Sequence, residues 1–145
     1  DCPAGIEQGF KTAIAAADTA IVVTMPEISA VRDADKIIGE LSRADKEDIK
    51  LIVNRIRPQM VESGDMLDMN DINDILSIEC IGQVPDDEMV VTSTNKGEPC
   101  ITMEHSLAGQ AYRNIVGRIC GEDIPFMEFP KEGFFQRLKR RVFGA

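Results

Sequence analysis

The sequence predicts an α/β fold built on a parallel sheet, and three observations carry that reading. Short β-branched runs, TAIVVT (19–24), IKLIVNRI (49–56) and IECIGQV (78–84), recur about every 30 residues. They are nearly continuous in apolar character, the pattern of strands covered on both faces. Segments of helical length and period separate them, so the strands are expected to be parallel neighbours joined by right-handed crossovers. Three such strands among this many helices leave a bare sheet edge, which natural domains avoid. The sheet is therefore expected to be incomplete, a partial three-layer α/β/α arrangement, and an opening residue of Asp rather than Met points the same way.

Taken in order, Ile6 to Ala17 is alanine-rich with Gly9 as its one breaker, which predicts a helix before the first strand. Pro26 opens a helix to about Ser42, with Ile28, Val31, Ile37, Ile38 and Leu41 forming a stripe. A polar loop rich in Met and Asp follows the second strand, then a short helix over 70–77. After the third strand, PDDEMVVTSTNKG carries acids in its first turn and Gly97 at its end, suiting a helix dipole. The longest helix is expected from about Glu104 to Cys120. Residues 122–132 read as a linker, which makes 1–121 the body and 133–145 a separate tail.

Composition narrows the function. The chain has 145 residues, 43% of them hydrophobic, enough for one domain with a core. It carries 16 Lys and Arg against 25 Asp and Glu. Four of the cations lie in the last thirteen residues, so the body holds 12 cations against 25 acids, a charge of −13. So acidic a body argues against nucleic acid, whose phosphates need a basic surface. The longest apolar run, 13–23, is interrupted by Asp18 and Thr19 and is far short of the roughly 20 residues of a spanning helix. Cysteines at 2, 80, 100 and 120 form no C-x-x-C and have a single histidine, His105, for company. They are expected to be buried free thiols.

The first nine residues, DCPAGIEQG, suggest phosphate chemistry. In phosphate-binding α/β proteins an Asp at a strand end orients a magnesium-bound water, and a nearby Gly lets its backbone N–H approach the terminal phosphate. Asp1 and Gly5 have that spacing, although Asp-Pro-Gly clusters are also common turns.

Beyond this point the sequence resembles the MinD family of deviant Walker P-loop ATPases, specifically the family's second half. The segment DCPAGIEQGFKTAIAAADTAIVVTMPEISAVRDADKI carries the resemblance, and LIVNRIRP, SGDM, IGQVPDDE and STNKGEP follow in the family's order, so it covers essentially the whole chain. The resemblance implies ATP and Mg2+ as cofactors, with Asp1 orienting magnesium-bound water and Gly5 sensing the γ-phosphate. It places Asn54 at the adenine edge, with Pro85 and Asp86 lining the base. An Asn amide both donates and accepts, which is the reason to want it there, and capping a turn is the alternative use. The resemblance also makes Glu27, Ser29, Asp33 and Asp35 part of a face for dimerisation and partners. No G-x-x-x-x-G-K-[ST] occurs in these 145 residues, so the chain by itself is expected not to hydrolyse ATP.

The tail, GFFQRLKRRVFGA, has four cations and no acid. On a helix at about 100° per residue, Phe134, Phe135, Leu138 and Val142 share an arc of about 100°, with Phe143 just beyond. Arg137, Arg140 and Arg141 lie outside that arc, and Lys139 flanks it. That is the layout of a helix lying in a lipid headgroup layer; docking on its own domain is the alternative. Four cations at an anionic leaflet contribute on the order of 4 kcal/mol. Five partly buried apolar groups add about 1.5 kcal/mol each. Ordering roughly ten residues opposes them at about 1 kcal/mol each, so a single tail is marginal and two on a dimer would bind far better.

The expectation is thus the C-terminal part of an ATPase that positions the division septum. It would form an ATP-dependent homodimer, recruit MinC and answer to MinE or another regulator. It would be cytoplasmic and peripheral on the inner membrane face, bound to anionic lipids and not to nucleic acid. Two alternatives stand beside it: a non-enzymatic membrane- or partner-docking fragment, and a ParA-like cargo-positioning ATPase. The second would want a basic surface that this body lacks.

Overall fold

A computed structural model of the chain describes residues 8–129. Asp1, Gly5 and the whole amphipathic segment 134–143 lie outside the described residues. The order is α1 (Gln8–Ala16), β1 (Ala20–Thr24), α2 (Ile28–Arg43), β2 (Ile49–Ile56), α3 (Pro58–Ser63), α4 (Met69–Leu76), β3 (Glu79–Pro85), α5 (Glu88–Lys96), a 3-10 turn at Cys100–Thr102, and α6 (Leu107–Ile119). The three described strands form one parallel sheet in the order β1-β2-β3. β2 is central because both neighbours hydrogen-bond to it, pairing Val22 with Leu51 and Leu51 with Cys80.

Two hydrophobic clusters lie against the sheet. One joins Val22, Leu51 and Val53 of the strands to Val31 and Leu41 of α2 and Ile72 of α4. Leu51, Val53, Val31 and Ile72 are fully buried, each contributing about 1.5–3 kcal/mol by leaving water. The other gathers Ile81 and Val84 of β3 with Ala108, Ala111 and Ile115 of α6. Here α6 approaches very closely: a Cβ on Gly82 would lie 2.5 Å from Ile115 Cδ1.

Several expectations need correcting. Among the described residues, β1 is not covered on both faces. Ile21 and Val23 are 43% and 58% exposed on the face whose β2 neighbours are Lys50 and Ile52, because α6 covers β3 and stops short of β1. The loop after β2 contains a six-residue helix, α3, started by Pro58 and ended by Gly64 in the left-handed region at φ 78°. The longest described helix is α2, 16 residues against 13 for α6, since Ser106 caps α6 and leaves Glu104 and His105 in a turn. Cys120 is exposed and Cys80 and Cys100 only half-buried, so these thiols are free but not interior. Of the stretch read as a linker, residues 122–129 lie against the body, with Met127 on the α6 cluster and Phe129 on the other.

The turns at the C-terminal side of β3 are joined by one carboxylate. Asp87 Oδ1 accepts from the Met89 N–H at 2.9 Å and caps α5. Its Oδ2 accepts from Ser106 Oγ at 2.8 Å and the Ala108 N–H at 3.0 Å. Ser106 Oγ in turn accepts from the Gly109 N–H at 2.9 Å and caps α6. Partial burial pushes the Asp87 carboxyl up, but the donors from Ala108, Met89, Ser106 and Leu107 outweigh it and hold its pKa below the ordinary 3.8.

Asp87→Ala removes one cap and leaves Ser106 without its acceptor, and should cost about 3 kcal/mol in urea unfolding. Because the folded pKa is lowered, this stabilisation is fully present above the ordinary Asp value. It should fade as pH falls below 3.8, more steeply in the parent than in Asp87→Asn. Gly109→Ala should destabilise more than Gly82→Ala. A Cβ at 109 meets the Cys100 carbonyl oxygen at 2.4 Å, backbone that cannot turn aside, whereas at 82 it meets a movable Ile115 side chain. Equal melting temperatures for the two variants would refute that ranking.

Candidate nucleotide-edge site

In a parallel sheet all strand C-termini open on one edge, where ligands of α/β proteins bind. Here that edge collects Met25 to Glu27 after β1, Asn54 to Arg57 at the end of β2, and Pro85 to Asp87 after β3. The three residues assigned to the adenine side, Asn54, Pro85 and Asp86, therefore do converge. Pro85 is buried and sits in register with Ile56, and the Asp86 N–H donates to the Ile56 carbonyl at 2.9 Å.

A backbone irregularity shapes this corner. The β2–β3 register shifts between Val53 and Ile56, and Arg55 there has φ 57°, the left-handed region that residues other than Gly, Asn and Asp seldom enter. Asn54 Oδ1 accepts from the Arg55 N–H at 2.9 Å and supports that turn. The turn-capping use of Asn54 is thus real. It occupies only the acceptor, and the amide N–H2 has no hydrogen-bond partner among the described residues. The kink brings Arg55 and Arg57 to the same carboxylate: Arg57 Nε lies 2.5 Å from Asp86 Oδ2, and Arg55 Nε 3.6 Å from Asp86 Oδ1. The Asp86 side chain is held by this clamp. Neither arginine figures among the sequence candidates; two cations alternating at the end of an apolar strand were the available sign.

Beside this edge a groove of about 460 Å3 lies between the start of α2 and the α3–α4 connection. It is lined by Glu27 and Ser29 together with Asp65, Asp68 and Asp71. The Leu67 N–H donates to the Pro26 carbonyl at 3.1 Å, tying the connection to the end of β1. Asp68 and Asp71 are used in a reciprocal cap of α4. Asp33 and Asp35 are exposed on α2 but do not line the groove, and Asp33 is paired with Lys36 at 2.9 Å. Among the described residues no group of three or more His, Cys, Asp or Glu side chains could hold a metal ion, and no helix is long and apolar enough to cross a membrane.

The opposite edge of the sheet has its own network. Lys50 Nζ bridges Asp48 Oδ1 at 3.1 Å and Glu79 Oε2 at 2.5 Å, and Thr19 Oγ1 donates to Asp48. Arg118 binds three carbonyls, those of Ile81, Ile124 and Pro125, each at 2.9 Å, and stacks over the Phe126 ring. These contacts fasten residues 124–126 to α6, and the same guanidinium ties α6 to β3.

No protein-family model matches the chain. The septum site-determining protein MinD of Synechocystis sp. is 50% identical over 148 residues, covering 100% of this chain and 56% of that protein. Among solved structures, the MinC:MinD cell division protein complex of Aquifex aeolicus superposes with a TM-score of 0.85 at 46% identity, over 90% of this chain and 54% of that one. The MinD of Pyrococcus horikoshii, solved with Mg-ADP, shares the fold at a TM-score of 0.71 and 24% identity, over 86% of this chain and 52% of its own. The chain spans about half the length of the curated relatives it matches. Matched from end to end at half identity, and folded as the corresponding part of the Aquifex structure, the chain is a relative of the septum site-determining MinD proteins.

Proposed function

We propose that this chain is the nucleotide-edge and membrane-targeting part of a MinD-type ATPase that positions the division septum. The observation that carries the reading is the end-to-end match to MinD sequences at half identity together with the fold match to the Aquifex MinC:MinD complex. On this reading Asn54 offers to the adenine edge the amide N–H2 that has no partner among the described residues, Pro85 walls the base, and Asp86 stiffens that wall through Arg55 and Arg57. Asp1 and Gly5 serve the γ-phosphate end, Asp1 by orienting a magnesium-bound water. When bound, Mg-ATP supplies the leaving group and the charge whose presence distinguishes the two states of the switch. The side bearing Glu27, Ser29, Asp33 and Asp35 meets a second copy, MinC, or a regulator of MinE type. Residues 134–143 bind anionic lipid on the inner membrane face, weakly for one copy and firmly for two.

The acidic body disfavours the ParA-like reading, which calls for DNA attraction. A purely docking, non-enzymatic role remains the competing reading for the 145 residues by themselves, since they contain no G-x-x-x-x-G-K-[ST].

A chimera in which this chain replaces the matching residues of Synechocystis MinD should release phosphate from ATP and restore septum placement in cells lacking MinD. The 145-residue chain alone should release none. A chimera that binds ATP and lipid yet leaves septa misplaced would refute the septum assignment. Separately, Phe135→Glu should abolish co-sedimentation with vesicles containing anionic phosphatidylglycerol, because it puts a charge on the apolar arc. Undiminished co-sedimentation would show that the tail is not the anchor.

A further inference from the structure

An asparagine amide can ordinarily serve two ways, because its planar end turns over and exchanges the carbonyl for the N–H2. At Asn54 the backbone beside it removes that freedom. Arg55 has φ 57°, and its N–H donates to Asn54 Oδ1 at 2.9 Å. Turned over, the amide would set its N–H2 against that N–H, two donors facing each other, and would leave the left-handed turn without its support. The carbonyl is thus directed back at the main chain. The N–H2, on the other arm of the same plane, is the part of this half-buried side chain that has no partner among the described residues.

The neighbouring side chains have the same polarity. The two carboxylate oxygens of Asp86 face Arg57 Nε at 2.5 Å and Arg55 Nε at 3.6 Å, so the acceptors of this corner are already engaged. We propose that Asn54 is a specificity-determining residue that acts as a donor alone: it gives its N–H2 to a ring-nitrogen acceptor of a purine base and takes no hydrogen bond from the 6-amino group. The inference rests on the nucleotide reading of this edge and deepens it by naming which atoms of the base are recognised. Adenine presents both kinds of group, ring-nitrogen acceptors and an amino donor. A pinned amide matches only the first, so Asn54 does not tell adenine from a purine that lacks the amino group. The turn at Arg55 then sets the hydrogen-bonding sense of the base contact.

The test compares triphosphate affinities, with Mg2+ present, in the chimera that carries this chain within Synechocystis MinD. One of 1-deaza-, 3-deaza- and 7-deaza-ATP, each lacking one ring acceptor, should bind about tenfold more weakly than ATP, the loss expected for one donor left unmatched. Asn54→Asp keeps an oxygen for the Arg55 N–H but has no N–H2. It should keep the parent melting temperature and erase that tenfold difference. Its added charge acts on all these analogues alike, so the ratio isolates the hydrogen bond. Purine riboside triphosphate lacks the 6-amino group and keeps every ring nitrogen; its affinity relative to ATP should be the same in the parent and in Asn54→Ala. A preference for ATP over that analogue which Asn54→Ala abolishes would show the amide accepting from the amino group, and overturns the proposal. So does a parent that distinguishes no deaza analogue from ATP, a comparison that needs no variant to fold, or a deaza difference that persists in Asn54→Asp. A folded chimera that binds none of the triphosphates, ATP included, refutes the nucleotide reading itself and this inference with it.

Discussion

The structure depends on β2. As the middle strand it gives hydrogen bonds to both neighbours, and its buried Leu51 and Val53 anchor the core that α2 and α4 close. Its direction also sets what each edge can be. Because all three strands run the same way, the end of β2 places Asn54 to Arg57 between the ends of β1 and β3, and its beginning places Lys50 between Asp48 and Glu79. Parallel pairing thus separates the two chemistries of the molecule by the length of a strand. The groups of the candidate site gather at one edge, and the Lys50 network lies at the other.

The corner at Arg55 shows how local strain is used. A left-handed backbone at an arginine costs on the order of 1 kcal/mol or more. Here the Asn54 carbonyl group accepts from the strained N–H, and the kink swings two guanidinium groups onto Asp86. Partly exposed ion pairs contribute little individually, so their value is positional. They join the end of β2 to Asp86, the residue that follows β3, where the register has slipped.

Strand positions, the amphipathic α2 and the acidic first turn and Gly97 end of α5 were legible because each has a local signal, whereas the Ser106 cap that starts α6 was not read. Other features were not local. An apolar run looks alike whether one or both of its faces are covered, so the bare side of β1 depends on where α6 stops. α3 hid in a polar stretch whose cues, Pro58 and Gly64, also mark loops. The kink at Arg55 carries no glycine to announce it. The strap over 122–129 reads as linker because its fastening comes from Arg118, a residue on the preceding helix whose three acceptors are backbone carbonyls invisible in composition. Of the candidate site, Asn54, Pro85 and Asp86, implied by the resemblance, lie at one edge of the sheet, while the arginines that pair with Asp86 emerged only from the fold.

That fastening determines how the molecule bears a mechanical load. A pull transmitted through Phe129 enters the body along the strap, and Arg118 hands it to the Ile81 carbonyl in β3. A load on the strap is therefore shared between α6 and β3 through one guanidinium rather than carried by the loop alone.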